Sequence, residues 1–322
     1  MSRTGRDPHP VIACGEVRTC LLPTRDALDE RAAVKLLRLR PDERVRVSRH
    51  PNRYVVSPEV LTGVDCPLPT DTGARVRAVG TVGSHASLVE GRVIQATASF
   101  SLPAVGTDRR QAWSYYLVRP GSLVPVGQVP QRALVRGFLL GHRPGRLDVG
   151  SIAESVLARI SRQDRILDHD PPLTAAGTRL RWTAVRTAAG EEPSSLFTKG
   201  EDGLRTLELS LPSGLPPTAA VGLCEELALH DWLLTTVADK LDGLPTGAAD
   251  DRAVLRVLRP LVDHLLHLWM PRARVDRVLR TVWNQLEETP GYSRQWTAHA
   301  QRIRDQLALR AIHLRDEVPG RR

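Results

Sequence analysis

PTAAVGLCEELALHDWLLTTVADKLDG, residues Pro217 to Gly243, is the stretch on which the reading of the fold turns. Leu223, Leu227, His230, Leu234, Val237 and Leu241 recur every three or four residues, which stacks their side chains along one stripe of a helix. The spacing predicts a helix from Pro217 or Thr218 to Leu241. Pro216 and Pro217 suit its approach and first turn, where a missing N–H costs nothing. Asp242-Gly243, followed by Pro245 and Gly247, stops it.

Three similar segments follow, up to Leu314. The first, capped by Asp250 or Asp251, carries Val254, Val257, Leu258, Leu261, Leu265 and Leu268, with a kink expected at Pro260. The next carries Val275, Val278, Leu279, Val282 and Leu286 and ends at Thr289-Pro290-Gly291. Ser293 is expected to cap the last, which turns Trp296, Ala300, Ile303, Leu307, Ala311 and Leu314 inward. Amphipathic segments on short loops must bury their stripes against one another or against the rest of the chain, and an antiparallel bundle is the economical answer. Trp232, Trp269, Trp283 and Trp296 fall here, each able to bury on the order of 200 Å².

Before this run the chain reads differently. Residues 1–10 read as a flexible lead, and Val11 to Leu22 as a strand. Thr24 can cap a helix from Asp26 to Leu37 or Leu39, although KLLRLR-PDE-RVRV can also be read as a hairpin. Arg44 to His50 and Arg53 to Ser57 alternate as half-buried strands do, and Ser57 to Gly73 reads as a proline- and glycine-rich connector. Ala74 to Val82, Gly91 to Phe100 and Ala112 to Val118 are further strand candidates in an antiparallel meander. Ser151 and Glu154 have the spacing of a capping box for a helix running to about Leu167. Thr178 to Val185 and Leu204 to Leu211 read as strands, and the polar stretch between them, AAGEEPSSLFTKGEDG, whose Glu191 to Gly203 part would order on binding a partner, as a mobile loop.

A length of 322 residues suits two domains, with the boundary in LPSGLPP, Leu211 to Pro217. The expected architecture is α+β: residues 1–212 form a β-rich domain with an antiparallel or mixed sheet and two helices, and residues 213–322 an all-α helical bundle. A net charge of +9 invites a nucleic-acid or anionic-membrane reading, but only Lys35, Lys199 and Lys240 among the 45 basic residues are lysines. That arginine skew is what GC-rich coding produces, and acidic residues are interleaved throughout. Cys14, Cys20, Cys66 and Cys224 form no CxxC pair and read as free thiols of a reducing, cytoplasmic environment. Neither a secretory leader nor a membrane-spanning stretch is expected.

The phosphate-cradling GxxxxGK[ST] is absent, as are GxGxxG after a strand, GxSxG and HExxH. His230, Asp231 and His264 are the candidate catalytic or metal-binding set, with His267 one turn beyond His264. Bundle metal sites need several inward carboxylates, and none is expected here beyond Glu225 and Glu226 nearby, so core histidines are the simpler reading. No metal and no cofactor is therefore expected. Asp168-His169-Asp170 before Pro171 reads as a helix-terminating loop, and Ser195 and Lys199 as loop residues. Tyr292, Arg294, Arg302 and Arg304, with Arg272 and Arg277, interleave an aromatic with arginines as partner- or nucleic-acid-binding surfaces do. A solvated basic face is the alternative.

SPEVLTGVDCPLP (Ser57 to Pro69), CEELALHDWLLTTV (Cys224 to Val237) and PGYSRQWTAHAQRIRDQLAL (Pro290 to Leu309) together resemble an uncharacterised family of similar length from high-GC Gram-positive bacteria. The resemblance implies a place in a small multiprotein system and a partner with a variant P-loop. It implies no activity. These observations lead to a non-catalytic interaction or regulatory subunit that docks a protein partner, such as a P-loop nucleotide-binding protein. A nucleic-acid binder using the C-terminal arginines is the alternative, and an enzyme built on His230, Asp231 and His264 is the third reading.

Overall fold

The computed structural model describes residues 11–74, 76–103, 107–127, 129–140, 145–187, 191–212, 214–244 and 251–316. The expected lead at residues 1–10 and the expected cap at Asp250 lie outside the described residues, as does the side chain of Leu314.

In chain order the elements are β1 (Val11–Leu21), α1 (Glu30–Leu36), β2 (Arg46–Ser48), β3 (Tyr54–Val56), β4 (Val60–Pro67), β5 (Arg77–Val89), β6 (Val93–Ser101) and α2 (Trp113–Leu117). They continue as β7 (Leu123–Val126), α3 (Gln131–Leu139), α4 (Val149–Ser161), β8 (Thr178–Arg186), β9 (Ser194–Lys199), β10 (Leu204–Leu211), α5 (Pro217–Asp242), α6 (Asp251–His264), α7 (Arg280–Glu288) and α8 (Tyr292–Asp316). The protein is α+β, with the sheet built from the first two thirds of the chain and the helical run last. All ten strands join one sheet in the order β2-β3-β5-β6-β1-β8-β10-β9, while β4 and β7 pair with the N-terminal half of β5. The sheet is mixed, because β8 and β10 run parallel while the other pairings are antiparallel.

Strand alternation explains how one sheet serves two cores. Along β1, Ala13, Val17 and Leu21 join Leu180, Trp182, Leu207 and Leu209 on the face covered by α5 to α8. Cys14 and Leu22 join Ile94, Ala96 and Phe100 on the face covered by α1, α3 and α4. Gly15 is required where Trp182 crosses β1, since a Cβ there would lie 2.6 Å from the indole. On the α4 face, Arg181 donates to Glu16 through Nε (3.0 Å) and Nη2 (2.8 Å), a buried pair across neighbouring strands.

The C-terminal helices therefore close on the sheet as well as on one another, and a single apolar cluster crosses the expected boundary at residue 212. α5 is the shared wall. All eight residues from Leu223 to His230 are buried, as expected of a helix with protein on every side. The tryptophans pack as follows: Trp269 and Trp296 stack at 4.5 Å with an interplanar angle of 5°, while Trp232 donates from Nε1 to the Ala176 carbonyl at 2.9 Å.

Several elements differ from the sequence-based expectation. Ser57 to Gly73 contains β4, an edge strand beginning after Pro58 and ending at Pro67, where the missing N–H is tolerated. Ala112 to Val118 is not a strand but the short helix α2, because Trp113, Tyr116 and Leu117 sit at i, i+3 and i+4. Among the described residues, four helices, not two, accompany the sheet before residue 212. α1 starts at Asp29, whose side chain accepts from Ala32 N at 2.7 Å, whereas Thr24 faces Asp168. α4 begins one turn earlier than the capping-box reading, with Ser151 bonded to Asp148, and stops at Ser161. The expected loop at residues 191–203 holds β9, paired antiparallel with β10. Pro260 lies inside α6, and a 3-10 turn at Leu266–Leu268 follows. Ser293 does not cap α8; its N–H and hydroxyl both donate to Glu287, each at 3.0 Å.

Candidate ligand cleft

The site begins with the polar face of β6. Gln95, Thr97, Ser99 and Ser101 share the side of the strand that faces α5, and His85 on β5 stands directly opposite Thr97. The facing turn of α5 presents Glu225. Its Oε1 accepts from His85 Nε2 (2.6 Å) and Thr97 Oγ1 (2.7 Å), and its Oε2 from Arg274 Nη2 (2.5 Å). Gln95 Nε2 donates to the Glu225 carbonyl at 2.8 Å and to Thr19 Oγ1 at 3.1 Å, which ties the helix to the sheet at this turn.

Arg274 sits between the 3-10 turn at Leu266–Leu268 and α7, with its guanidinium 4.5 Å from the centre of the Tyr54 ring. Three separate segments thus converge on one carboxylate of α5. Burial opposes the charge on Glu225, but Arg274 and His85 outweigh it and hold the carboxyl far below the usual range. Glu226 has the opposite fate. Burial pushes it up to about 7 despite Arg274 and the N–H of Ala273, which donates to its Oε1 at 2.9 Å.

This cluster forms one wall of a cleft of about 770 Å³. The sheet side contributes Ala13, Tyr54, Val56, His85, Ser99 and Ser101; α5 contributes Pro217, Thr218, Val221, Gly222 and Glu225. The rim carries Arg46, Ser48 and His50 of the β2–β3 hairpin, with Glu59 and Pro120. Its volume falls within the range spanned by small-molecule pockets. His85 remains partly open, with 18% of its side chain exposed, so the imidazole can reach an occupant while Glu225 holds its Nε2.

The residues singled out from the sequence lie elsewhere. His230 is buried, with Nδ1 2.7 Å from the Glu226 carbonyl and its ring edge-on to Trp269 and Trp283. Burial lowers its pKa to about 4, the state of a neutral core imidazole. Asp231 accepts from Arg205 Nε at 2.6 Å, and burial raises its pKa against that pairing. His264 Nδ1 lies 3.4 Å from Arg92 Nη2, and burial, then Arg92, lowers its pKa. The three belong to separate neighbourhoods. Among the described residues, no group of three or more His, Cys, Asp or Glu side chains converges as a metal site would.

Tyr292 is buried against Phe197, with ring centres 5.9 Å apart, and is closed to a partner. Arg294 donates to the Glu288 carbonyl, and Arg302 lies 3.4 Å from Asp242. Arg272, Arg277 and Arg304 are exposed on different segments. Glu225 and Glu226, set aside on the sequence for want of inward carboxylates, are both fully buried. The signal was present: two adjacent acids in a run otherwise made of Leu223, Cys224, Leu227, Ala228 and Leu229. Nothing local pointed to His85, Thr97 or Tyr54.

No protein family, curated protein or solved structure matches the chain. Among the described residues no helix is long and apolar enough to cross a membrane. The cysteines are free, and burial raises the thiols of Cys14 and Cys224 well above their ordinary range and that of Cys20 up to about 12, so nucleophilic work at neutral pH is not theirs.

Proposed function

We propose that the protein binds a small organic molecule in the cleft between α5 and the β5–β6 face, with His85 and Arg274 meeting its polar end. The observation that carries this reading is the convergence of His85, Thr97 and Arg274 on the buried carboxylate of Glu225 at the wall of a roomy cleft. A charge buried with only partial solvent access is costly to maintain, and its partners hold two of the lining groups in one geometry. Titration with the neutral fluorophore N-phenyl-1-naphthylamine tests it. One saturable site is expected, lost in Gly222→Leu, whose new side chain enters a lined position with only the Arg274 carbonyl near its Cβ, at 3.7 Å. Identical titration curves for the two proteins would refute it.

A second reading, docking of a protein partner, draws on a different surface. Leu117 and Val118 are 62% and 73% exposed, beside the half-exposed rings of Trp113 and Tyr115, which are flanked by Arg110 and Arg119. Apolar and aromatic side chains grouped with arginine are the composition of interface anchors. On this reading the chain acts as a ligand-binding interaction subunit, and a P-loop protein is the partner to test first. Retention of that partner by the wild type but not by Trp113→Ser/Leu117→Ser supports it.

A further inference from the structure

We propose that the cleft selects an anionic amphiphile, a molecule with a carboxylate or phosphate head and an apolar body; this rests on the cleft being the working site. The charges facing the cleft are unequal. Glu225 is already spent, since its two oxygens take three donors from within the chain. Arg274 is only half used in hydrogen bonding: Nη2 goes to Glu225 and the guanidinium lies against Tyr54, whereas Nη1 makes no hydrogen bond among the described residues. The Arg274 side chain lines the cleft and is 19% exposed, and a guanidinium with one nitrogen lacking an acceptor gains a charge-assisted bond when an oxygen of a bound anion reaches it.

Around it stand further groups of the same preference. Arg46 and His50 line the cleft from the β2–β3 hairpin, and Pro217 and Thr218 open the first turn of α5 onto it. That helix has 26 residues and no side-chain cap at Pro216, so the positive end of its dipole faces the cleft unshielded. Glu59 is the one opposing carboxylate that lines the cleft with no arginine, lysine or histidine bonded to it among the described residues, and it is set over Gly83. The remaining lining fixes the rest of the ligand. Tyr54, Val56, Val221 and Pro217 give an apolar track, and Ser99 and Ser101 add hydroxyl donors.

Four probes with one octyl chain separate the possibilities: octanoate, octyl phosphate, octan-1-ol and octyltrimethylammonium, each titrated calorimetrically into the full chain. At least one of the two anions is expected to bind roughly ten-fold tighter than the alcohol, a difference of about 1.4 kcal/mol, and the cation weakest. Whichever anion binds better identifies the head group. Thr218→Asp, an exposed change that suits a helix N-terminus but repels an anion, is expected to weaken anion binding about three-fold, roughly 0.6 kcal/mol, and to leave the alcohol unchanged. Arg46→Ala is expected to act in the same direction. Equal binding of all four probes, abolished by Gly222→Leu, would overturn the anion preference while leaving the cleft as a binding site. Tightest binding of the cation would also overturn it. Failure of all four to bind would remove both.

Discussion

His85 Nε2 lies 2.6 Å from Glu225 Oε1, across 140 residues of chain, and this contact pins the middle of the sheet to the central helix. Arg274, 49 residues beyond Glu225, completes the arrangement from the opposite side. The carboxylate is thus structural support for the cleft as well as part of its wall. Removing it leaves the largely buried Arg274 without its bonded carboxylate, with Glu226, which burial pushes up to about 7, as the remaining acid near it. Glu225→Ala is expected to destabilise the fold by about 3–5 kcal/mol, the range for breaking a buried pair by deleting one partner. Urea denaturation followed by circular dichroism measures it, and a loss under about 1 kcal/mol would show that the pair is solvated after all.

Protonation should separate the two adjacent acids. Glu225, held far below its ordinary range, contributes stability that is present at neutral pH and is lost as pH falls below the usual carboxylate value. Glu226, raised to about 7 from 4.5, works the other way: its contribution is full below about pH 4.5 and is lost as pH rises through about 7. His230, lowered to about 4 from 6.5, gives stability that grows as pH rises over that same interval, and so masks Glu226. Glu226→Gln should uncover the histidine. Relative to wild type, the variant is expected to gain stability between pH 5 and 7, by about 3 kcal/mol at most. Parallel stability curves for the two proteins across that range would disprove the assignment.

Close approach at Gly15 offers a test on the sheet itself. A methyl group there meets the Trp182 indole at 2.6 Å and the Ala98 carbonyl at 2.9 Å, and both belong to buried strands with no room to yield. Gly15→Ala is expected to cost about 1–3 kcal/mol through overpacking. Thermal unfolding would detect it as a lower Tm. Gly121→Ala, with nothing within 4 Å but a positive φ of 69°, is a control for backbone strain alone.

Exposed arginines set up a salt test of the nucleic-acid alternative. If Arg272, Arg277 and Arg304 contact phosphates, affinity for DNA or RNA falls steeply between 50 and 200 mM salt, and the slope shrinks in the triple alanine variant. The interleaving of acidic residues with the basic ones leads us to expect weak binding at 50 mM and no change of slope. Tight, sequence-independent binding at 50 mM that falls steeply by 200 mM, with a slope that shrinks in the variant, would restore that reading.

How much of this was legible in the sequence follows from where each determinant lies. The long helices α5 and α8 were readable because many consecutive turns repeat the same spacing, and β6 because Val93 to Ser101 alternates cleanly. β4 was hidden by Pro58, Pro67 and Pro69, which mark a connector unless the strand is an edge. α2 was misread because a five-residue aromatic run fits either period. The bundle was correctly placed after the sheet, but its continuity with the sheet was not visible, since Leu180, Trp182, Leu207 and Leu209 look the same whichever layer covers them. The site was least legible. His85 is a lone histidine between glycine, serine and alanine, and only the β5–β6 register and the position of α5 bring it to Glu225.

The occupied cleft is best tested at His85 itself. With imidazole-¹⁵N-labelled protein, octanoate added to saturation is expected to shift the His85 resonances while those of His230, sealed among Trp269 and Trp283, stay fixed. The same addition to Gly222→Leu should leave both unmoved. Bound octanoate that leaves His85 unchanged, or shifts it equally in Gly222→Leu, would contradict the placement of the ligand beside the Glu225 carboxylate.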